Sequence, residues 1–322
     1  MDKHVARPLV ALYGPTSSGK TRVSVELCLR LAREVGRAPV VISADSRQVY
    51  RYMDIGTSKT ATTEMCGIRH EMISIADPTR KYELESYIAA ARRHIEDCWA
   101  GGALPIMVGG TAVYVRSLIE GWYVLHSSAL RTSLRRDFPR SMATDAYATL
   151  RRLAPTSAAR VHPNNYEGII NALATVVSGS DSRERASRRS LVLGLAPSAR
   201  ELDCRVARTF DTQMAHGLFE EVLDLVCHYH LEDELRRRGH DSPNQVLRTH
   251  GYREFVEVAV ECGKVVHSLT SADIALVRER ALAHIRSYAR RQCGALRRMR
   301  EAQLIHSADE AFQAVIRLVS TT

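Results

Sequence analysis

Gly14-Pro15-Thr16-Ser17-Ser18-Gly19-Lys20-Thr21 is the stretch of this chain with the most chemistry in it. It has the composition and spacing of a phosphate-binding loop. Glycines at 14 and 19 let backbone N–H groups converge on phosphate oxygens, with Pro15, Thr16, Ser17 and Ser18 forming the wall between them. Lys20 reaches the outer phosphate, and the Thr21 hydroxyl is placed to face Mg²⁺. The expected ligand is a diphosphate or triphosphate. Context supports this, because Pro8 to Tyr13 reads as a buried strand and Thr21 to Val35 as a helix. Leu27, Cys28, Leu31 and Val35 share one side of that helix, and Gly36 lies just past its end.

A phosphoryl-transfer enzyme with such a loop carries a second strand ending in an acid that holds the metal. Here the second apolar strand, Leu104 to Val108, runs into Gly109-Gly110-Thr111 without a carboxylate. The strand Pro39 to Ala44 does end in an acid, Asp45, followed by Ser46-Arg47-Gln48-Val49-Tyr50. One carboxylate and one hydroxyl therefore stand at strand C-termini, where a parallel sheet presents its ligand crevice. A diphosphate in the loop, a base beside it and a hydroxyl opposite suit a reaction in which diphosphate leaves and a weak nucleophile replaces it. Read alone, Asp45 is also a common helix N-cap and Gly-Gly-Thr an ordinary turn, while Asp54 reads as a brace for the turn at Gly56.

The remaining composition bounds the answer. A chain of 322 residues with 45% hydrophobic content can bury a sizeable core. No run approaches membrane-spanning length and no signal-like segment opens the sequence, so a cytoplasmic protein without membrane contact is expected. Seven cysteines, at 28, 66, 98, 204, 227, 262 and 293, are scattered singly, so neither a disulfide framework nor a zinc finger is expected; they read as buried small apolar residues. The net charge of +9 is concentrated. Arg278, Arg280, Arg286, Arg290, Arg291, Arg297, Arg298 and Arg300 crowd one predicted helix from about Ala272 to Ala302. Arg286, Arg290 and Arg297 fall near one face, a stripe suited either to a phosphate backbone or to solvent. Arg183, Arg185, Arg188 and Arg189 read as an exposed loop. After Trp122 the sequence turns helical and Arg-rich, and Ser190 to Leu195 reads as a returning strand. The expected architecture is α/β: a P-loop NTPase-like parallel sheet flanked by helices, built from residues 1–121 and 190–322, with a helical domain inserted at 122–189.

Four motifs in order, Gly14 to Thr21, Asp45 to Tyr50, Met53-Asp54-Ile55-Gly56-Thr57-Ser58-Lys59 and Gly109-Gly110-Thr111 with Tyr114, resemble the tRNA dimethylallyltransferase (isopentenyltransferase) family. Further matches are His162-Pro163-Asn164, Gly217-Leu218 with Glu220-Glu221-Val222, Gly251-Tyr252-Arg253-Glu254, and Arg286 with Tyr288-Ala289-Arg290-Arg291-Gln292, so the similarity covers nearly the whole chain. The resemblance implies prenyl transfer from dimethylallyl diphosphate to N6 of an adenine, in tRNA the base next to the anticodon (A37). It implies Asp45 as the base that takes the N6 proton and Thr111 as a hydroxyl near the scissile oxygen. Residues 14 to 21, with Arg205 and Arg208, would hold the diphosphate, and Mg²⁺ would sit at Thr21. Ser46, Arg47, Gln48, Arg248, Gly251, Tyr252, Arg253, Arg290, Arg291 and Gln292 would serve the acceptor. The family's insertion faces the sheet and encloses a channel, with the flipped-out adenine entering opposite the prenyl chain, and a monomer is expected.

The match departs from the pattern in the insertion. The family follows His-Pro-Asn with Asp and an R-I-x-R-A-L-E run, whereas this chain has Asn165-Tyr166-Glu167-Gly168-Ile169-Ile170-Asn171-Ala172-Leu173-Ala174. Both arginines and the acid are gone. Gly294-Ala295 replaces a Thr-Trp, and Thr209 replaces a basic residue. These losses favour the same chemistry on a free adenine nucleotide such as AMP, ADP or ATP, while the basic final helix favours tRNA. A reading from another class, a small-molecule kinase or nucleotide-binding module, is weakened by the missing acid on the second strand.

Overall fold

The computed structural model describes residues 7–119, 128–178, 189–299 and 301–320. Trp122, Arg183, Arg185, Arg188 and Arg300 lie outside the described residues. The chain divides into a unit formed by 1–115 with 189–322 and a second unit, 116–188.

The first unit is built on six parallel strands: β1 (Leu9–Tyr13), β2 (Pro39–Ser43), β3 (Arg69–Glu71), β4 (Leu104–Gly109), β5 (Ser190–Leu195) and β6 (Ala302–Ile305). Their order across the sheet is β3-β2-β4-β1-β5-β6. β1 sits between β4 and β5, and all five of its residues are buried, which is why it reads as a continuous apolar run rather than an alternating one. The expected strands are all present. β3 and β6 were not expected, because three polar residues at one edge and four residues at the other are too short to establish a period.

Helices Lys20–Val35 and Ala308–Ser320 bury Leu27, Leu31, Phe312 and Val315 with Val10, Leu12 and Ile106 of the sheet. The first helix ends at Gly36, whose φ of 67° is the left-handed conformation that favours glycine at a helix terminus. A second core in the same unit joins Val49, Tyr50 and Met53 to Ala199–Ala215, Leu218–Tyr229, Arg253–Glu261 and Ser271–Arg297 through Phe210, Leu218, Tyr252, Phe255 and Val277. The basic helix expected to continue to about Ala302 stops at Arg297, and Ala302 to Ile305 instead pair with β5. The arginines at the expected end carry no helix-breaking residue, so local propensity gave no sign of the strand.

In the second unit, helices Ser128–Asp137, Ala143–Leu153 and Tyr166–Val177 pack around Leu134, Leu150, Ile169 and Leu173. Asn165 caps the last of these, its side chain accepting the Gly168 N–H at 3.1 Å. All seven cysteines are free. Only Cys28 and Cys98 are buried, and Cys66, Cys204, Cys227 and Cys262 are exposed, so the expectation of a general core role does not hold. Among the described residues no helix is long and apolar enough to cross a membrane.

Candidate active site

The loop between β1 and the helix at Lys20 has the backbone its glycines foretell. Gly19 has φ 90° and Ser17 φ 59°. A Cβ on Gly14 would lie 2.8 Å from Ser18 Oγ and 2.9 Å from the Leu195 carbonyl, so no larger residue fits that position. Ser18 Oγ is buried and has no hydrogen-bond partner among the described residues, which leaves it able to donate to an oxygen of a ligand in the loop. Lys20 Nζ donates to the Pro15 carbonyl at 2.6 Å. Burial pushes its ammonium pKa down to about 8, with the negative charge of Asp45 acting in the opposite sense.

Of the two arginines expected here, Arg205 reaches the loop, donating through Nη1 to the Ser18 carbonyl at 2.9 Å. Arg208 is exposed and lines neither neighbouring cavity, whereas Thr209 lines both.

Two cavities open from the loop, of about 270 Å³ and about 250 Å³. Both are lined by Thr16, Ser17, Asp45, Thr57, Ser58 and Thr209. The first extends over Ser18 to Thr21 and the second toward Arg47, Arg248, His250, Tyr288 and Arg291. Asp45 stands at their junction. Its Oδ1 accepts the Arg47 N–H at 2.8 Å, an Asx turn that fixes the carboxylate while leaving Oδ2 for a partner. No helix follows, so the helix-cap reading of Asp45 does not apply.

Thr111 lines neither cavity. Its Oγ1 accepts the Ser46 N–H at 2.9 Å, and the Tyr288 hydroxyl is hydrogen-bonded to it. Tyr288 is pushed up to about 12 by burial and by the charge of Asp45, and is neutral at ordinary pH. Beneath Asp45, Tyr87 and Tyr114 stack with centroids 3.5 Å apart and planes 7° from parallel. Burial raises both phenols, with Asp45 adding to the shift.

Several residues expected to meet the acceptor also make hydrogen bonds within the protein, Gln48 among them while lining the first cavity. Gln48 Nε2 donates to the Thr57 and Ser58 carbonyls at 3.3 and 3.1 Å and so holds the Met53–Lys59 turn against the cavity. Tyr252 is fully buried and donates to Glu221 Oε1 at 2.7 Å. A Cβ on Gly56 would lie 2.4 Å from its ring, which explains that glycine. Gly251, at φ 91°, donates its N–H to Glu254 Oε2 at 2.7 Å. Arg253 lies against Glu254 and His284 at 3.3 and 3.2 Å. Arg290 pairs with Asp203 at 2.9 Å, and Gln292 bonds Thr16 and Gly110. Arg286 is half-buried, and its Nε has no hydrogen-bond partner among the described residues. Polar motifs around a site are needed as much to hold loops as to touch ligands, and sequence does not separate the two.

The turn is organised by a residue of the Glu220-Glu221-Val222 motif. Glu221 accepts the N–H groups of Asp54 and Ile55 at 2.8 Å each and of Gly56 at 3.1 Å, in addition to the Tyr252 hydroxyl. Gln213 Nε2 donates to the Ile55 carbonyl at 2.9 Å. Asp54 does brace the turn, through Lys59 Nζ. An acid spaced to match a polar turn is the only signal the sequence offered. Similarly, Glu254 is fully buried; burial opposes its ionisation, but hydrogen bonds from His250, His284 and the Gly251 N–H outweigh it and hold the carboxyl below its usual range.

The profile of the IPP transferase family matches residues 48–299. The chain belongs to that family. Its members include a tRNA dimethylallyltransferase of Thermomicrobium roseum, 35% identical over 92% of this chain and 85% of that protein. Another, from Chromohalobacter salexigens, is 32% identical over 97% of each. Among solved structures, the full-length tRNA isopentenylpyrophosphate transferase of Bacillus halodurans superposes with a TM-score of 0.63 and 27% identity, covering 98% of this chain and 96% of that one. The expected sheet with flanking helices is the fold these relatives share, and membership makes the chain a prenyltransferase.

Proposed function

We propose that the enzyme transfers a dimethylallyl group from dimethylallyl diphosphate to N6 of adenine 37 in tRNA. The observation that carries this is the junction of the two cavities: the phosphate loop opens on one side of Asp45 and an arginine-flanked space on the other. A leaving diphosphate and an incoming amine need such opposed compartments with a base between them.

An exocyclic amine is a poor nucleophile because its lone pair is delocalised into the ring. Asp45 Oδ2 accepts the N6 proton as the new C–N bond forms and the allylic C–O bond breaks. Negative charge grows on the departing diphosphate. Lys20, Arg205, the Ser18 hydroxyl and the loop amides stabilise it, each such donor contributing about 10²–10³ in rate. Thr111 acts at one remove, holding Ser46 and, through it, the turn that aims Asp45. The Thr21 hydroxyl, together with oxygens of the bound diphosphate, would hold Mg²⁺, which would add charge neutralisation to the leaving group and leave Asp45 free to act as the base. We place the reaction in the cytoplasm and in a monomer.

A second reading, the same transfer to free AMP, ADP or ATP, is favoured by the helix Tyr166–Val177. Where the family carries arginines this helix has Gly168 and a buried Asn171. Labelled dimethylallyl diphosphate with Mg²⁺, offered separately with unmodified tRNA and with each nucleotide, decides between them: label in tRNA alone is the expected result. Asp45→Ala should abolish labelling and leave diphosphate binding largely intact. Equal loss of both would remove Asp45 from the role of base.

A further inference from the structure

Gln292 lies on the helix Ser271–Arg297 and is 5% exposed. Its side chain reaches two other elements at once. Oε1 accepts the Thr16 N–H at 2.8 Å, and Nε2 donates to the Gly110 carbonyl at 2.8 Å. Its own backbone carbonyl accepts the Tyr13 hydroxyl at 3.2 Å. The ends of β1 and β4 and the phosphate loop are therefore tied together at one residue.

A carboxamide meets this demand, because one end must accept and the other must donate. Space is reserved for it as well. A Cβ on Gly110 would stand 2.2 Å from Nε2, so that glycine admits the amide. The Thr16 peptide it grips is in the first half of the loop, next to Ser17 at φ 59°. A non-glycine residue holds that conformation only when its surroundings over-determine it. Because the peptide unit is planar, fixing the Thr16 N–H on Gln292 also fixes the Pro15 carbonyl, which accepts the Ser18 N–H at 3.3 Å and Lys20 Nζ at 2.6 Å.

We propose that Gln292 is a positioning residue which holds the phosphate loop in its diphosphate-receiving shape, acting through the Thr16 N–H and Gly110 and without touching substrate. This rests on the reading of the loop as the site of a prenyl diphosphate, and the test separates the two.

Gln292→Met keeps the volume and removes both hydrogen bonds. Gln292→Glu keeps the acceptor toward Thr16 but sets an oxygen against the Gly110 carbonyl and adds negative charge near the ligand. Direct titration with inorganic diphosphate, with Mg²⁺ present, should weaken about tenfold in Gln292→Met and further in Gln292→Glu. The KM for dimethylallyl diphosphate should rise in parallel while the KM for tRNA changes by less than about twofold. A merely structural role lowers the melting temperature and the active fraction, which scales kcat and leaves both KM values in place. Unchanged diphosphate affinity in both variants overturns the proposal, as do equal rises in the two KM values. If the wild-type enzyme binds diphosphate yet labels no acceptor, the functional reading fails, and the binding comparison still judges Gln292.

Discussion

At the scale of single residues, Lys20 and Asp45 define what the site can do and how it answers to pH. The ammonium of Lys20 has its pKa lowered to about 8 by burial. A bound diphosphate favours the charged form, so binding raises that pKa. Binding is therefore fully supported by the positive charge below about pH 8 and loses it as pH rises further, since each binding event must then take up a proton. The KM for the prenyl diphosphate should be flat from pH 6.5 to 7.5 and climb above pH 8 with a logarithmic slope approaching one. Lys20→Arg, which cannot deprotonate, should remove that climb. A KM that stays level to pH 9.5 in the wild type would place the ammonium in a different environment from the one described.

At the scale of elements, the site depends on a turn that has no hydrogen-bonded ladder of its own. Met53 to Lys59 supplies Thr57 and Ser58 to both cavities, and its amides at 54, 55 and 56 are gathered on the Glu221 carboxylate. A charged acceptor serving several N–H groups is among the stronger hydrogen-bonding arrangements in a protein. Glu221→Ala should lower unfolding stability by about 2–4 kcal/mol, and Tyr252→Phe, which removes one of four donors, by about 1 kcal/mol. Urea denaturation read at constant m-value measures both. If Glu221→Ala shifts the midpoint no more than Tyr252→Phe does, the carboxylate is not the organiser of the turn.

At the scale of the whole molecule, a net charge of +9 invites an electrostatic account of tRNA binding, but the structure divides the arginines into two kinds. Arg278, Arg280 and Arg290 are paired with Asp211, Glu261 and Asp203. Arg291 and Arg248 line the cavity beyond Asp45. A phosphate contact releases counterions only where the protein charge is available to it. In a plot of log affinity for tRNA against log salt, Arg291→Ala should reduce the slope by about one, while Arg278→Ala leaves it nearly unchanged. Equal effects of the two substitutions would mean that charge acts through the overall field and not through this cavity.

The residues 14 to 21, with the apolar run before them and the amphipathic helix after them, determined by themselves a strand-to-helix turn with the composition of an anion-binding loop. Glycine at 19 and 36, each in the left-handed region, is a statement about backbone geometry that needs no tertiary context, whereas Gly14 is required by its close approach to Leu195. Asp45 was likewise legible, because a polar residue ending a buried strand of a parallel sheet must lie at the ligand edge. What only the folded chain decided is the difference between touching a ligand and holding a loop. Tyr252, Arg253 and Gln292 are polar residues in motifs near the site, and they have partners on loops and helices far away in sequence: Glu221, His284, and Thr16 with Gly110. The short edge strands β3 and β6 belong to the same class, since pairing with a neighbour, not any preference of their own residues, makes them strands. Local sequence records which groups can donate and accept, whereas the choice of partner for each is settled by which elements the core brings within hydrogen-bonding distance.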